Sequence, residues 1–283
     1  MMVMTDLPSS AQRTASAALL RGYAVLAYAS FVAAVAWAII FLADVHVAPT
    51  VDRAGGRPGW AAALTDLALL GLFAIQHSVM PRRGFKRRLA ARLPSAAERS
   101  TYVLTSSVIL LVLFWQWQPL PEGIWRVSAQ PWAGLIWALC TLGWAVAVAS
   151  TFLVDHLDFL GLKQAGWGGD GQVYEPPSFT TRWFYRCVRH PMMSGLIVAF
   201  WATPSMTVGH LLFAAAATGY IVVGIRFEER DLRHDLGATY ERYAERVPAL
   251  VPVRLAGRQR RQLSAARVIV GEPVGANRGD PAC

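Results

Sequence analysis

The chain has 283 residues, of which 54% are hydrophobic and only 16% charged, yet its formal net charge is +9. So apolar a chain is not intrinsically disordered, and it is too oily for an ordinary nucleic-acid-binding domain. A membrane protein reconciles the two facts, with apolar spans and with Lys and Arg held at one face.

Met1 to Ser16 is mostly polar, with Arg13 its one basic residue. The apolar stretch that follows is longer than a signal-peptide core and is read as a retained span. Between Arg21 and Asp44 lie 22 residues without a charge, enough for a first crossing, which takes about 20. A second span runs from Pro58 to Pro81, broken only by Asp66 and His77. Asp66, in mid-span, reads as a neutral carboxylic acid hydrogen-bonded to another helix or as part of the polar interior. A third span runs from Ser100 to Pro121 and ends in Trp115 and Trp117, rings that favour the membrane interface. Val127 to Val154 gives a fourth.

The next apolar stretch, His190 to Ile225, has 36 residues. As one helix it would reach about 54 Å, too long for a single crossing. Pro204 and Gly209 lie near its middle, where either breaks a helix. The reading is a hairpin, 191–206 and 209–226, for a total of six spans. An amphipathic helix then follows from Arg226 to Arg246, ending before Pro248, with Leu232, Leu236, Tyr240 and Tyr243 at helical spacing. The fold class is therefore all-α: a polytopic membrane protein of about six transmembrane helices. Residues 1–254 form one domain with a core at about 155–250, and 255–283 form a basic, disordered tail.

With the N-terminus inside, 24 of the 27 Lys and Arg fall on the inner side and 3 on the outer. The positive-inside rule then places both termini in the cytoplasm, in a multi-pass protein of the cytoplasmic (inner) membrane. Polar groups at span ends gather on this same side, where they invite a functional reading. His77 ends span two, Asp155 and His156 follow span four, Arg189 and His190 open span five, and Glu228 and Glu229 close span six. The hairpin brings the last two groups together. The bland alternatives are a snorkelling basic belt with exposed acids, an interfacial His77 satisfied by a carbonyl, and a loop His156 with no role. No HExxH motif, Cys/His ligand pair, GxGxxG or P-loop is present, so no metal site is expected.

The run YRCVRHPMMSG, from Tyr185 through Arg189, His190 and Pro191 to Gly195, resembles the YRxxRHPxxxG signature of the isoprenylcysteine carboxyl methyltransferase-like superfamily. Glu228-Glu229 with Leu232, then Gly237, Tyr240 and Tyr243, looks like its EExxL…GxxYxxY closing motif. Upstream, Gln76-His77-Ser78 with Met80, Phe85 and Lys86, then Glu98-Arg99-Ser100 with Tyr102, then Trp115, Trp117 and Pro119, are similar to the NnrU-like branch. Asp155-His156, Asp158, Gly161 and Gln164 also fit that pattern. Within the branch the sequence is most similar to the bacterial methanethiol S-methyltransferase family.

The resemblance implies S-adenosyl-L-methionine as cofactor, bound at the cytosolic end of the hairpin. By position it assigns Tyr185, His190 and Glu228 to cofactor contact and Pro177, Ser178, Phe179 and Thr180 to a backbone stretch lining the cofactor, with Arg189 and Glu229 as neighbours. Met193 stands where prenyl-protein methyltransferases commonly carry Tyr, so a thioether there could replace an aromatic contact. Methyl transfer from a sulfonium is an in-line displacement in which alignment matters and the thiolate is the nucleophile. His77 and His156 are the candidate catalytic bases, and Gln76 and Gln164 the candidate substrate contacts. The implied partners are a small volatile thiol and the lipid bilayer, with no nucleic acid and no protein partner. The rival readings are a methyltransferase with another acceptor (isoprenylcysteine carboxylate, a longer thiol or a lipid), a non-enzymatic NnrU-like accessory protein, and a transporter.

Overall fold

The computed structural model describes residues 10–52, 59–167 and 181–252, with side chains from residue 16 onward. The basic tail from 255 and the predicted lining segment Pro177, Ser178, Phe179 and Thr180 lie outside the described residues. In chain order the helices are α1 (Ser10–Leu42), α2 (Gly59–Val79), α3 (Arg83–Ala90), α4 (Ser95–Gln116), α5 (Trp132–Val154), α6 (His156–Phe159), α7 (Pro191–Trp201), α8 (Val208–Leu236) and α9 (Ala238–Arg246). A 3-10 turn covers Trp183–Arg186, and two short strands, β1 (Gly123–Arg126) and β2 (Ser205–Thr207), pair antiparallel.

Ser16–Leu42 of α1, together with α2, α4, α5 and α8, are each long and apolar enough to cross a membrane. Their outer faces leave Leu64, Ile75, Leu139 and Leu142 uncovered by protein, as lipid-facing helices do. Several hydroxyls within the spans return to their own helix. Thr101, Thr105 and Ser107 each donate to the carbonyl four residues earlier at 2.8 Å, which satisfies them where water is absent. The protein is an all-α, multi-pass membrane protein, and β1–β2 is the one departure from helix pairing among the described residues.

The predicted hairpin has unequal arms. The first arm is helical only to Trp201, because Pro204 has no N–H to give and forces the residue before it toward an extended conformation. Eleven helical residues cover about 16 Å, and the extended stretch 202–207 covers up to about 20 Å more. Thr207 then caps α8, accepting from the His210 amide at 3.1 Å. The second arm runs on without a break into the predicted amphipathic helix, as expected. The α8 helix continues to Leu236, and the amphipathic segment breaks at Gly237, whose φ of +53° is a left-handed value.

The helices pack by close approach of small residues. At the α5–α7 crossing a Cβ on Gly195 would lie 2.6 Å from the Gly143 carbonyl oxygen, and one on Gly143 would lie 2.7 Å from the Gly195 carbonyl oxygen. Small residues allow such approaches between membrane helices. The main core centres on Phe41, Leu113, Phe114, Trp117, Phe200 and Phe213. Trp117 belongs to it rather than to the interface, only 5% exposed and edge-on to Phe41 and Phe213. Trp115 stays 65% exposed.

Asp66 is fully buried and accepts from the backbone N–H of Gln118 at 2.8 Å. Its partner is thus the chain just beyond α4 and not the side of another helix. Eleven residues separate Asp66 from His77, about 16 Å along α2. His77 lies in the last turn of α2, whereas Asp66 lies toward the side of the bundle where α4 finishes. The end that carries His77, the α5–α6 junction, the start of α7 and the end of α8 is called the site end below.

Candidate functional site

Three polar clusters occupy the site end. The first joins the start of α7 to the end of α8. Pro191 occupies the first turn of α7, where its missing N–H costs nothing. That places Arg189 and His190 in the entering chain, against the last turns of α8. Arg189 donates through Nε to Glu229 Oε1 at 2.8 Å and pairs with the same oxygen through Nη2. Its Nη1 donates to the carbonyls of Ala244, at 2.9 Å, and Val247, closing the C-terminal end of α9. Arg233, one turn on from Glu229, holds the other carboxylate oxygen at 2.9 Å. Backbone bonds run alongside: the N–H groups of Arg189 and His190 donate to Pro248 and Ala249, and the Ser194 hydroxyl donates to Leu250.

His190 lies between the two acids. Its Nε2 is 3.3 Å from Glu229 and its Nδ1 is 3.5 Å from Glu228. The side chains of His190 and Glu229 are 6% and 10% exposed, whereas that of Glu228 is 52% exposed. The acids therefore divide. Glu229 is consumed by two guanidiniums and holds the junction together, while Glu228 opens outward from it. Tyr185, in the 3-10 turn, lies close enough to feel the Glu228 charge. Burial raises its hydroxyl above the usual phenol value, and the Glu228 charge adds to that. The Tyr243 hydroxyl donates to the Tyr185 carbonyl at 2.7 Å and ties α9 to the turn. Tyr240 is 1% exposed, so this pair packs α9 onto the hairpin. Met193 is partly buried against the main core.

The second cluster lies between α2, α4 and α8. The His77 ring stacks on Phe73, centroids 5.0 Å apart, and Tyr220 stands edge-on to it at 6.2 Å. Tyr102 Oη is 2.9 Å from His77 Nε2 and 3.0 Å from Nδ1, and Ser106 Oγ is 3.3 Å from Nδ1. Gln76 completes the group: Ser106 donates to its Oε1 at 3.2 Å, and its Nε2 approaches Met80 Sδ at 2.9 Å. The imidazole is thus bound by side chains of neighbouring helices. Ser106 and Tyr220 are not among the residues singled out from sequence, and Tyr102 entered there only as part of the family pattern, with no site role. The signal for Tyr102 and Ser106 is their spacing from Arg99, a polar stripe along one face of an otherwise apolar helix. Tyr220 has no comparable signal.

The third cluster surrounds the turn after α5. Asp155 accepts from the Asp158 amide at 3.1 Å and pairs with Lys163. Burial opposes its ionisation, but the Lys163 and backbone bonds together hold its carboxyl below the usual range. Gln164 donates to Asp158 at 3.1 Å. His156 stacks flat on Phe152 at 4.1 Å and 4°. The Thr151 hydroxyl gives its proton to the Val148 carbonyl, so it accepts from His156 Nδ1 at 2.8 Å. That leaves Nε2 to accept from Tyr28 Oη at 3.3 Å. Both nitrogens and one face of His156 are therefore engaged, and none of these partners is shared with His77. The structure brings together Arg189, His190, Glu228, Glu229 and Tyr185 in one group, Gln76 and His77 in a second, and His156 and Gln164 in a third.

The family model of the NnrU protein matches residues 67–252. Methanethiol S-methyltransferase 2 of Bradyrhizobium diazoefficiens is 48% identical over 251 residues, 89% of this chain and 96% of its own length. Methanethiol S-methyltransferase of Mycobacterium tuberculosis is 48% identical over 230 residues, 81% of this chain and 94% of its own length. Nurim of Sus scrofa is 28% identical over 232 residues, covering 74% of this chain and 88% of its own length. No solved structure matches the chain. The chain belongs to the NnrU protein family, within its methanethiol S-methyltransferase group.

Proposed function

We propose that the protein transfers a methyl group from S-adenosyl-L-methionine to methanethiol, forming dimethyl sulfide. The observation that carries this reading is Glu228, an outward-facing carboxylate beside the buried His190 and Tyr185, in a chain 48% identical to methanethiol S-methyltransferases. The site end faces the cytoplasm, because 24 of the 27 basic residues fall on that side of the inner membrane.

The residues at the junction suit this donor. A carboxylate accepts from ribose hydroxyls and attracts a cation, and Glu228, half exposed and held among the described residues only by His190 at 3.5 Å, is open to do so. When bound, S-adenosylmethionine supplies an electrophilic methyl group on a positively charged sulfur. Tyr185, His190 and Glu228 are the holding residues, and the segment of Pro177, Ser178, Phe179 and Thr180 is proposed to complete the enclosure. Arg189 and Glu229 position them by fixing the start of α7 against the end of α8.

His77 is the candidate base on the acceptor side, with Gln76 next to it. Its ring lies among Phe73, Tyr102 and Tyr220, an aromatic wall that suits a small apolar thiol. His156 is the weaker candidate, because its lone-pair nitrogen already accepts from Tyr28. It and Gln164 shape the turn beside the site. A thiol that dissolves in lipid reaches this wall between helices, while the charged donor arrives from water.

The test is purified protein in detergent, supplied with S-adenosylmethionine and methanethiol, with dimethyl sulfide measured in the headspace. Product well above a Glu228→Ala control is expected. Production no greater than that control overturns the proposal.

A further inference from the structure

Methylating a thiol releases a proton. The S–H bond breaks, a carbon–sulfur bond forms, and the electron pair of the cleaved donor bond stays on the donor sulfur. Thiol and sulfonium become two neutral sulfides and one proton. The His77 ring is hemmed in by Phe73, Tyr102 and Tyr220, so a proton it takes from the thiol needs a way out before the next turnover.

The His77 ring has two polar routes among the described residues. One runs through Ser106 to Gln76 and stops at Met80, a thioether with no proton to pass on. The other is Tyr102. Its hydroxyl lies within 3.0 Å of both ring nitrogens, so a proton on either starts beside it. Tyr102 also lines a cleft of about 20 Å³ between α3 and α4, together with Met80, Leu89, Arg99, Lys86 and Glu98. That volume holds about one water molecule. At its rim Lys86 Nζ and Glu98 Oε1 pair at 2.8 Å, with side chains 45% and 32% exposed. The α3 helix roofs the cleft, and Arg99 fixes its floor by donating to the Phe159 carbonyl at 2.9 Å under the Tyr102 ring.

Resting on the methyltransferase reading, we propose that Tyr102 relays the thiol proton from His77 to this cleft, and that Glu98 passes it on to water. His77 gives its proton to Tyr102 Oη as the Tyr102 hydroxyl gives its own to the cleft, so the tyrosine stays neutral throughout. Tyr102 and Glu98 act through His77 and are positioning residues, not catalytic ones.

Tyr102→Phe keeps the ring and its packing and removes only the hydroxyl. It is expected to lower kcat for methanethiol at neutral pH by about 10- to 100-fold, with S-adenosylhomocysteine affinity unchanged. The deficit shrinks as pH rises and shrinks for the more acidic 2,2,2-trifluoroethanethiol, because a thiol already ionised needs no relay. Glu98→Gln gives a smaller loss with the same dependence. A readout apart from turnover is the ultraviolet absorption of thiolate followed by stopped flow when methanethiol is mixed with the complex of sinefungin, whose amine stands in for the sulfonium charge: it rises more slowly in Tyr102→Phe than in the wild type and reaches a similar final amplitude. An active wild type with no defect in Tyr102→Phe, or with a defect equal at every pH and for both thiols, overturns the relay alone. A wild type that forms no sulfide overturns the methyltransferase reading and the relay with it.

Discussion

The Arg189 guanidinium meets one oxygen of Glu229 through Nε and Nη2 while its Nη1 reaches the carbonyls of Ala244 and Val247. One side chain thus links three parts of the chain: the entry to α7, the end of α8 and the closing turn of α9. The two partners' side chains are only 11% and 10% exposed. Removing one member of a buried pair strands the other and costs about 3–5 kcal/mol. Arg189→Ala is therefore expected to lower the thermal midpoint in detergent sharply. Arg189→Lys restores the charge but not the forked contact to carboxylate and carbonyls, and is expected to recover less than half of the loss. A full recovery by lysine would show that charge alone is at work.

Glu228 is the contrasting neighbour. It is half exposed, and the one polar contact it makes among the described residues is to His190 at 3.5 Å. Surface substitutions away from buried networks stay within about 0.5 kcal/mol, so Glu228→Gln is expected to leave the thermal midpoint almost unchanged. If Glu228 accepts from the donor, losing a charged hydrogen bond of about 1.5–3 kcal/mol weakens S-adenosylhomocysteine binding by roughly 10- to 150-fold. Calorimetric titration of the detergent-solubilised protein measures this directly. Loss of stability together with affinity would mean that Glu228 serves the junction rather than the ligand.

The sequence carries the spans plainly, because a run of 20 or more uncharged residues has few other fates. It also carries the pairing of Arg189 and His190 with Glu228 and Glu229, since a hairpin must return its two ends to one side. Lateral order is a different matter. Nothing local says that α1 packs on α4 or α5 on α7, so His77 and His156 look alike as span-end histidines although they sit in separate clusters. The eight-residue α3 escaped because four of its residues are basic and read as a polar loop. The β1–β2 pair joins segments some 80 positions apart through strands of four and three residues, too short for any periodicity to show. Trp117 reads as an interface ring from its place at a span end, but the core formed by Phe41 and Phe213 claims it.

His156 gives a pH signature. Burial lowers its imidazole below the ordinary value, with the Asp155 charge opposing. The fold therefore favours the neutral ring, and the unfolded chain takes up the extra proton first, near pH 6.5. The stability it contributes is whole above that pH and declines as the pH falls below it. The wild type is expected to lose thermal midpoint between pH 7 and 5 more steeply than His156→Gln, which cannot titrate. Parallel curves for the two proteins would remove His156 as the cause. Turnover of His156→Gln at pH 7.5 is expected to stay within a few-fold of wild type, because Nε2 is occupied by Tyr28. A His77→Gln protein, by contrast, is expected to lose about 100-fold or more.

The α5–α7 crossing offers a test of packing that leaves every polar group untouched. A methyl group on Gly195 would lie 2.6 Å from the Gly143 carbonyl oxygen and 2.7 Å from the Ala147 amide nitrogen. These are backbone atoms, so no side chain can swing away, and the helices must separate instead. Overpacking of this kind costs about 1–3 kcal/mol. Gly195 lies one helical turn beyond Pro191, so separation there also moves His190 away from Glu228 and Glu229. Gly195→Ala is therefore expected to lower both the thermal midpoint and S-adenosylhomocysteine affinity. Gly219→Ala on α8, where an added methyl group meets nothing within 4 Å, is expected to change neither. If the two substitutions behave alike in melting and in titration, the close approach of α5 and α7 does not set the position of the donor site.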